Sequence, residues 1–207
     1  MRAQTCGAAA SVRTAGGYLE LEGPASSWAH FRGFHSLFMK IANTTKPTIA
    51  MVNGPAIGGG MDMALHCDIR IGCELTRFFT YQNVGQIPEN GMCYSLPRIA
   101  GLGRALEMAF TGGFLDAEEA YRWGVLNKLV TSEQLEEETR AMCRKIIGSP
   151  PLVQYLAKKI IRRGIDSNLE TVQEMCANAS GILGASEDAV EARRAFLEKR
   201  SPSFKGK

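Results

Sequence analysis

The sequence predicts an α/β core followed by a helical C-terminal region, and three observations carry that expectation. Strand-like and helix-like patterns alternate up to about residue 131, whereas only helix-like patterns follow. A short apolar run over residues 48–52 leads through Asn53-Gly54-Pro55 to Gly58-Gly59-Gly60 and then to a helical stretch from Met61. Apolar residues form 45% and charged residues 22% of the 207-residue chain, which suits a globular protein with a core of its own. Two regions are expected, a core over residues 1–131 and a helical region over 132–207.

Each element follows from a local pattern. The first 17 residues contain Arg2 and Arg13 and nothing acidic, a faint transit-peptide composition. An irregular start with a short strand near Ser11 to Thr14 is the plainer expectation, and Ala15-Gly16-Gly17 is a glycine-bearing turn. Phe31, Phe34, His35, Phe38 and Met39 recur at helical spacing and predict a helix over 27–43. Residues 48–52 read as a buried strand and 68–72 as another, and Phe78 and Phe79 open an extended segment ending at Ile87-Pro88. A helix over 95–99 contains Pro97; Gly101 and Gly103 break it before 104–111. Asp116 with Glu119 forms a capping-box-like start for a helix over 117–123, ended by Gly124, and residues 125–130 form a strand. Ser132 is expected to cap the next helix, which Gly148-Ser149-Pro150-Pro151 stops; further helices cover 152–163, 169–183 and 187–199.

Composition excludes several function classes. A net charge of +3 is too mild to argue for nucleic acid, and no apolar run is long enough to span a membrane. The six cysteines are scattered without a CxxC pair, as expected of reduced intracellular thiols that mostly fill the core. His30 and His35 have no acidic or cysteine partner at ligand spacing, so no metal site is expected.

The chemistry that remains lies in the glycines. Glycine between strand and helix lets backbone approach a ligand closely and leaves unpaired N–H groups at a helix start, where negative charge is stabilised. Two such turns, at Gly16-Gly17 and Gly58-Gly59-Gly60, flank the first long helix. Brought together, each would point one N–H at a carbonyl oxygen that gains charge, lowering a barrier by about 3–4 kcal/mol per donor. For an isolated turn the plainer role is to join strand to helix. Neither GxGxxG nor GxxxxGK[ST] occurs here, which weakens the nucleotide alternative. The nearby acid–base candidates are Asp62, one turn into the helix, and Glu89, just after Ile87-Pro88; both equally suit carboxylates favoured by a helix dipole. Most basic residues of the tail belong to solvated helix faces, with a few available to the phosphates of an anionic cofactor.

These residues, taken together, resemble the enoyl-CoA hydratase/isomerase (crotonase) superfamily. The resemblance runs from about Ala15 to the end. It rests on Lys46-Pro47, Asn53-Gly54-x-Ala56-x-Gly58-Gly59-Gly60, Cys67-Asp68-Ile69-Arg70-Ile71, Thr111-Gly112, Trp123-Gly124-Val125-Leu126-Asn127 and the helix from Ser186 to Arg200. It implies a crotonase-like ββα spiral core with C-terminal helices that mediate trimerisation, as a homotrimer or a dimer of trimers. It also implies an acyl-CoA thioester as substrate, with no permanently bound cofactor, and a place in fatty acid metabolism. The enolate oxygen would be held by the N–H groups of Gly17 and Gly59. Ala15, Gly16 and Gly58 would stand beside them, and Phe196 and Lys199 would meet the adenine or phosphates of CoA. The compartment expected is the cytoplasm, or mitochondria or peroxisomes in a eukaryote.

The reaction type depends on carboxylates. Where hydratases carry a first glutamate this chain has Asp62, one methylene shorter, and where they carry a second it has Tyr81 or Gln82. Gly85-Gln86-Ile87-Pro88-Glu89-Asn90-Gly91 resembles instead the segment of 3-enoyl-CoA to 2-enoyl-CoA isomerases in which one glutamate shuttles the proton. Glu89 as sole acid/base is the expectation, with hydratase chemistry as the alternative. The family pattern also has a strand–helix–strand region before the Ala-Gly-Gly turn, at which this sequence almost begins, and Tyr18 replaces the usual aspartate. An inactive subunit that only binds CoA esters or oligomerises is therefore the rival class.

Overall fold

The protein is described from a computed structural model, over residues 5–6, 23–80, 85, 87–88 and 91–207. The strand expected near Ser11 and the turn at Ala15-Gly16-Gly17 lie outside those residues. The chain divides into two compact units: one contains the described residues up to Thr44 and Thr48–Ala141, the other Thr45–Pro47 and Met142–Lys207.

The first unit is the α/β part. β1 (Thr5–Cys6), β2 (Ile49–Val52), β4 (Ile69–Cys73) and β7 (Lys128–Val130) form a parallel sheet in the order β1-β2-β4-β7. A second sheet has the order β3-β5-β6, with β3 (Pro55–Ile57) parallel and β6 (Leu115–Asp116) antiparallel to β5 (Arg77–Phe79). Between these strands run α1 (Gly23–Ala42), α2 (Gly59–His66), a π-type turn over Gly91–Ser95, α3 (Leu96–Ala100), α4 (Leu102–Thr111) and α5 (Ala117–Arg122). Ala50, Val52, Met61, Leu65, Phe78, Met92, Leu96 and Leu126 share one buried cluster, so strands, α2 and the π-type turn close on a common core. Parallel strands buried on both faces read as continuous apolar runs, which is the pattern at 49–52, whereas 69–73 is as buried but carries Arg70.

Two polar devices hold this core in register. Thr48 and Asp68 clasp each other: the Thr48 N–H and hydroxyl both donate to Asp68 Oδ2, at 2.8 and 2.9 Å, and the Asp68 N–H donates to Thr48 Oγ1 at 3.0 Å. Arg70 is 5% exposed. Its guanidinium donates to the Cys67 carbonyl at 2.9 Å, the Val125 carbonyl at 2.5 Å and Asn127 Oδ1 at 3.3 Å. Its backbone exchanges bonds with Asn127 in both directions. The end of α2 is thereby stitched to the loop before β7. Fixed donors on a planar cation suit that task better than a lysine would.

Most expected elements are present, with instructive shifts. The expected turn at Pro55 opens β3 instead; proline at the first residue of a strand forfeits no ladder bond that matters. Asp116 caps α5 as expected, accepting from the Glu119 N–H at 2.8 Å, and Gly124 follows at φ +77°. Ser132 does not cap the next helix. α6 (Leu135–Ile147) starts three residues later, and the Ser132 N–H donates to Glu74 Oε2 at 2.9 Å. Cys67, Cys73 and Cys143 are buried, whereas Cys93 and Cys176 are exposed.

The second unit is helical: the end of α6, α7 (Pro151–Gly164), α8 (Leu169–Gly184) and α9 (Glu187–Leu197). Asn168 and Ser186 cap α8 and α9 through their side chains. The last residues fold back onto α9. Buried Asp188 accepts from the N–H groups of Lys205 and Gly206 at 2.7 and 2.8 Å, one on each oxygen. Arg200 forks onto both oxygens of Glu191 at 2.7 and 3.0 Å, and the Ser203 N–H donates to the same carboxylate.

Two outcomes are expected. Arg70→Ala leaves two buried carbonyls without their charged donor and should cost about 3 kcal/mol or more in urea unfolding. Arg200, and then the Ser203 N–H, lower the Glu191 pKa to about 2. The stability from this contact is therefore complete above the ordinary glutamate pKa and lost as pH falls through about 2. The protection of the Ser203 amide against exchange, taken relative to its intrinsic rate at each pH, should show that loss, and Glu191→Gln should abolish the pH dependence of the protection.

Candidate active site

The junction of β3 and α2 is built around one residue. Gly58 adopts φ 50° and ψ −116°, a conformation that a Cβ strongly disfavours, and its N–H donates to the Phe79 carbonyl at 2.9 Å. The turn is thus tied to the end of β5 while the chain reverses into helix. Gly59 follows as the first residue of α2, and the first intrahelical bond runs from the Asp62 N–H to the Gly58 carbonyl at 3.0 Å. The N–H groups of Gly59, Gly60 and Met61 therefore have no acceptor within the helix. A buried helix start with orphan donors is the arrangement that a developing negative charge requires.

Asp62 lies on the same first turn and is 2% exposed. Its Oδ1 accepts from the Met92 N–H at 3.2 Å, and Oδ2 is buried as well. Gly91 packs directly over it: a Cβ at 91 would sit 2.8 Å from the Asp62 Cα and would overlap Oδ1. At the other end of α2, His66 Nδ1 is 2.7 Å from the Asp62 carbonyl. A carbonyl only accepts, so Nδ1 carries the proton, and the ring stacks on Phe38 with centroids 5.4 Å apart. Cys93 donates its thiol to the Pro88 carbonyl at 2.9 Å. Although the residue is exposed, partial desolvation of its sulfur pushes the thiol pKa up, and the Asp62 carboxylate adds to the shift. Asp62 therefore acts electrostatically on the π-type turn as well as through its hydrogen bond.

The other expected site residues are distributed unevenly. Gly58, Gly59 and Asp62 come together at the start of α2, joined by Gly91 and Met92. Ala15, Gly16, Gly17 and Glu89 lie outside the described residues, as do Tyr81 and Gln82. Phe196 and Lys199 belong to the helical unit. Phe196 is 83% exposed near the end of α9. Lys199 has φ +54° and donates its N–H to the Phe196 carbonyl, while Arg200 donates to Ala195. That is the left-handed helix end in which glycine is usual. Sequence patterns alone did not single out Gly91 or the Met92 N–H. The available signal was a glycine two residues beyond a candidate carboxylate. Among the described residues no group of three or more His, Cys, Asp or Glu is placed to hold a metal ion, and no helix is long and apolar enough to cross a membrane.

A spiral of short strands and helices, a glycine turn at a helix start and a buried carboxylate beneath it define a class. Residues 19–207 match the family model for enoyl-CoA hydratase/isomerase, and the chain belongs to that family. It is 34% identical over 169 residues to crotonyl-CoA hydratase of Syntrophomonas wolfei, covering 81% of this chain and 65% of that protein. Against 1,2-epoxyphenylacetyl-CoA isomerase of Escherichia coli it is 34% identical over 177 residues, or 85% of this chain and 68% of the relative. The chain thus spans about two thirds of the length of these relatives. Among solved structures, enoyl-CoA hydratase from Bacillus anthracis superposes with a TM-score of 0.86 at 32% identity, over 90% of this chain and 72% of that one. The fold is the crotonase fold.

The glycine turn makes a paired prediction. Gly58→Ala forces a side chain into a strained conformation and should destabilise by about 1–3 kcal/mol. At Gly60 a Cβ meets nothing within 4 Å, so Gly60→Ala should be neutral or stabilising by up to about 1 kcal/mol. Thermal unfolding of the two variants side by side checks the contrast.

Proposed function

We propose that the chain is an acyl-CoA enzyme that stabilises a thioester enolate, and that it shifts a double bond from the 3 to the 2 position of an enoyl-CoA. The observation that carries this proposal is the Gly58-Gly59 turn, with Gly59 opening α2 so that its N–H is left without an intrahelical acceptor. In this reading the N–H groups of Gly59 and Gly17 hold the thioester oxygen. Glu89 removes a proton from C2 and returns it at C4 across the dienolate, with Asp62 in support. One base suffices, because the proton that leaves is the proton that returns. Ala15, Gly16 and Gly58 shape the binding turn, and Phe196 and Lys199 meet the adenine or phosphates of CoA. Exposed Leu169, Ile182, Phe196 and Leu197 offer apolar surface to neighbouring copies, in support of a homotrimer or a dimer of trimers. The cytoplasm is the proposed compartment, or mitochondria or peroxisomes if the source is a eukaryote.

Hydration of an enoyl-CoA is the second reading, favoured by relatives named crotonyl-CoA hydratase and short-chain-enoyl-CoA hydratase, the latter from Clostridium acetobutylicum at 35% identity. Assays with 3-hexenoyl-CoA and crotonyl-CoA separate the two. Glu89→Gln is expected to lower isomerisation by about 100- to 10,000-fold, the usual worth of a positioned acid/base. Isomerisation that is indifferent to Glu89→Gln would sink the first reading. Hydration that disappears in Asp62→Asn would establish the second, and binding of CoA esters without turnover of either would leave a binding subunit.

A further inference from the structure

We infer that Asp62 and Gly91 form a clasp whose task is to fix the segment carrying Glu89, making Asp62 a positioning residue through its bond to the Met92 N–H. This inference rests on the proposal that Glu89 carries the proton chemistry.

Three observations at one point in the fold converge on it. The Asp62 side chain, 2% exposed, spans from the first turn of α2 to the opening of the π-type turn, where Oδ1 accepts from Met92 N–H at 3.2 Å. Gly91 brings the two backbones together, since a Cβ would stand 2.8 Å from Asp62 Cα. That contact is with backbone, so no side-chain rotation relieves it. Asp62 and Gly59 share one helical turn, so the clasp ties the π-type turn, which follows Glu89 in sequence, to the element that holds the candidate oxyanion donor. A proton carrier must stand within hydrogen-bond reach of its carbon acid, and errors of about 1 Å cost about 100-fold in rate. Glu89 is only two residues from Gly91 and three from Met92 in sequence, which is why the clasp is assigned to it.

The length of the side chain at 62 follows from the same geometry. An aspartate one turn into α2 reaches the Met92 N–H while Gly91 lies against its Cα. A glutamate adds a methylene to a space already closed by backbone, so Asp62→Glu must displace the turn. A charge is not needed for this role, since an asparagine oxygen accepts the same bond in the same volume.

The test measures kcat and KM on 3-hexenoyl-CoA for the full chain and its variants Asp62→Asn, Asp62→Ala, Gly91→Ala and Glu89→Gln, alongside amide exchange at Met92. Asp62→Asn should recover most of the kcat that Asp62→Ala loses, since the asparagine oxygen can accept the same N–H. Asp62→Ala and Gly91→Ala should lose about 100-fold in kcat with little change in KM, and Met92 should exchange about tenfold faster in both. Rescue by asparagine separates positioning from proton transfer: Asp62→Asn as inactive as Glu89→Gln would make Asp62 the proton carrier and overturn the inference. Unchanged kcat in Gly91→Ala overturns it equally, and this variant serves where Asp62→Ala does not fold. Full activity in Glu89→Gln, or a parent chain without turnover, defeats the Glu89 reading instead. The clasp then stands or falls on Met92 exchange, retained in Asp62→Asn and lost in Gly91→Ala, or indifferent to both.

Discussion

The bond from the Gly58 N–H to the Phe79 carbonyl is the constraint on which the site depends. It extends the pairing of β3 with β5 by one residue and forces the chain to reverse at Gly58. Only a residue without a Cβ takes that path cheaply, and the reversal is what leaves Gly59 at the head of α2. Everything proposed for the reaction hangs from this point. The proposed oxyanion donor, the buried carboxylate at 62 and the π-type turn that opens at Gly91 all take their positions from the first turn of one eight-residue helix.

A short helix needs support that its own length cannot supply, since helices below about 12 residues are marginal alone. Here support is concentrated at its C-terminal end. His66 ties its ring to the Asp62 carbonyl and stacks on Phe38, and the C-cap residue Cys67 gives its carbonyl to Arg70. Arg70 then passes the load to Val125 and Asn127, 55 and 57 residues away. The Asp68 carboxylate performs the same service for β2 through Thr48. The Cys67-Asp68-Ile69-Arg70 run is thus scaffold, although it lies beside the chemistry in sequence.

Much of this was legible in the residues, and the gaps have physical causes. The apolar run at 48–52 identified β2 and the short stretch at 68–72, with Ile69 and Ile71, identified β4, each within one residue. The Asp116 cap was legible because its partner Glu119 is three residues away. Contacts distant in sequence were not. Arg70 with Asn127, Asp62 with Met92 and Ser132 with Glu74 join residues 30 to 58 positions apart, and no local spacing announces them. β3 was missed because Asn53-Gly54-Pro55 has turn composition, while its strand character comes from pairing with β5. Asp62 was legible as a carboxylate near glycines, but its bond to a backbone N–H was not.

The reach of Arg70 also sets an order of events during synthesis. β4 leaves the ribosome 57 residues before Asn127 does, an interval of roughly 3–11 s at about 5–20 residues per second. Throughout it the guanidinium has neither the Val125 carbonyl nor Asn127, and β4 lacks β7 as a neighbour. The glycine turn is therefore translated early and consolidated late. A nascent chain paused before residue 125 would present the unclamped end of α2 and an unpaired parallel edge to chaperones, which makes this interval the exposed phase in the life of the molecule.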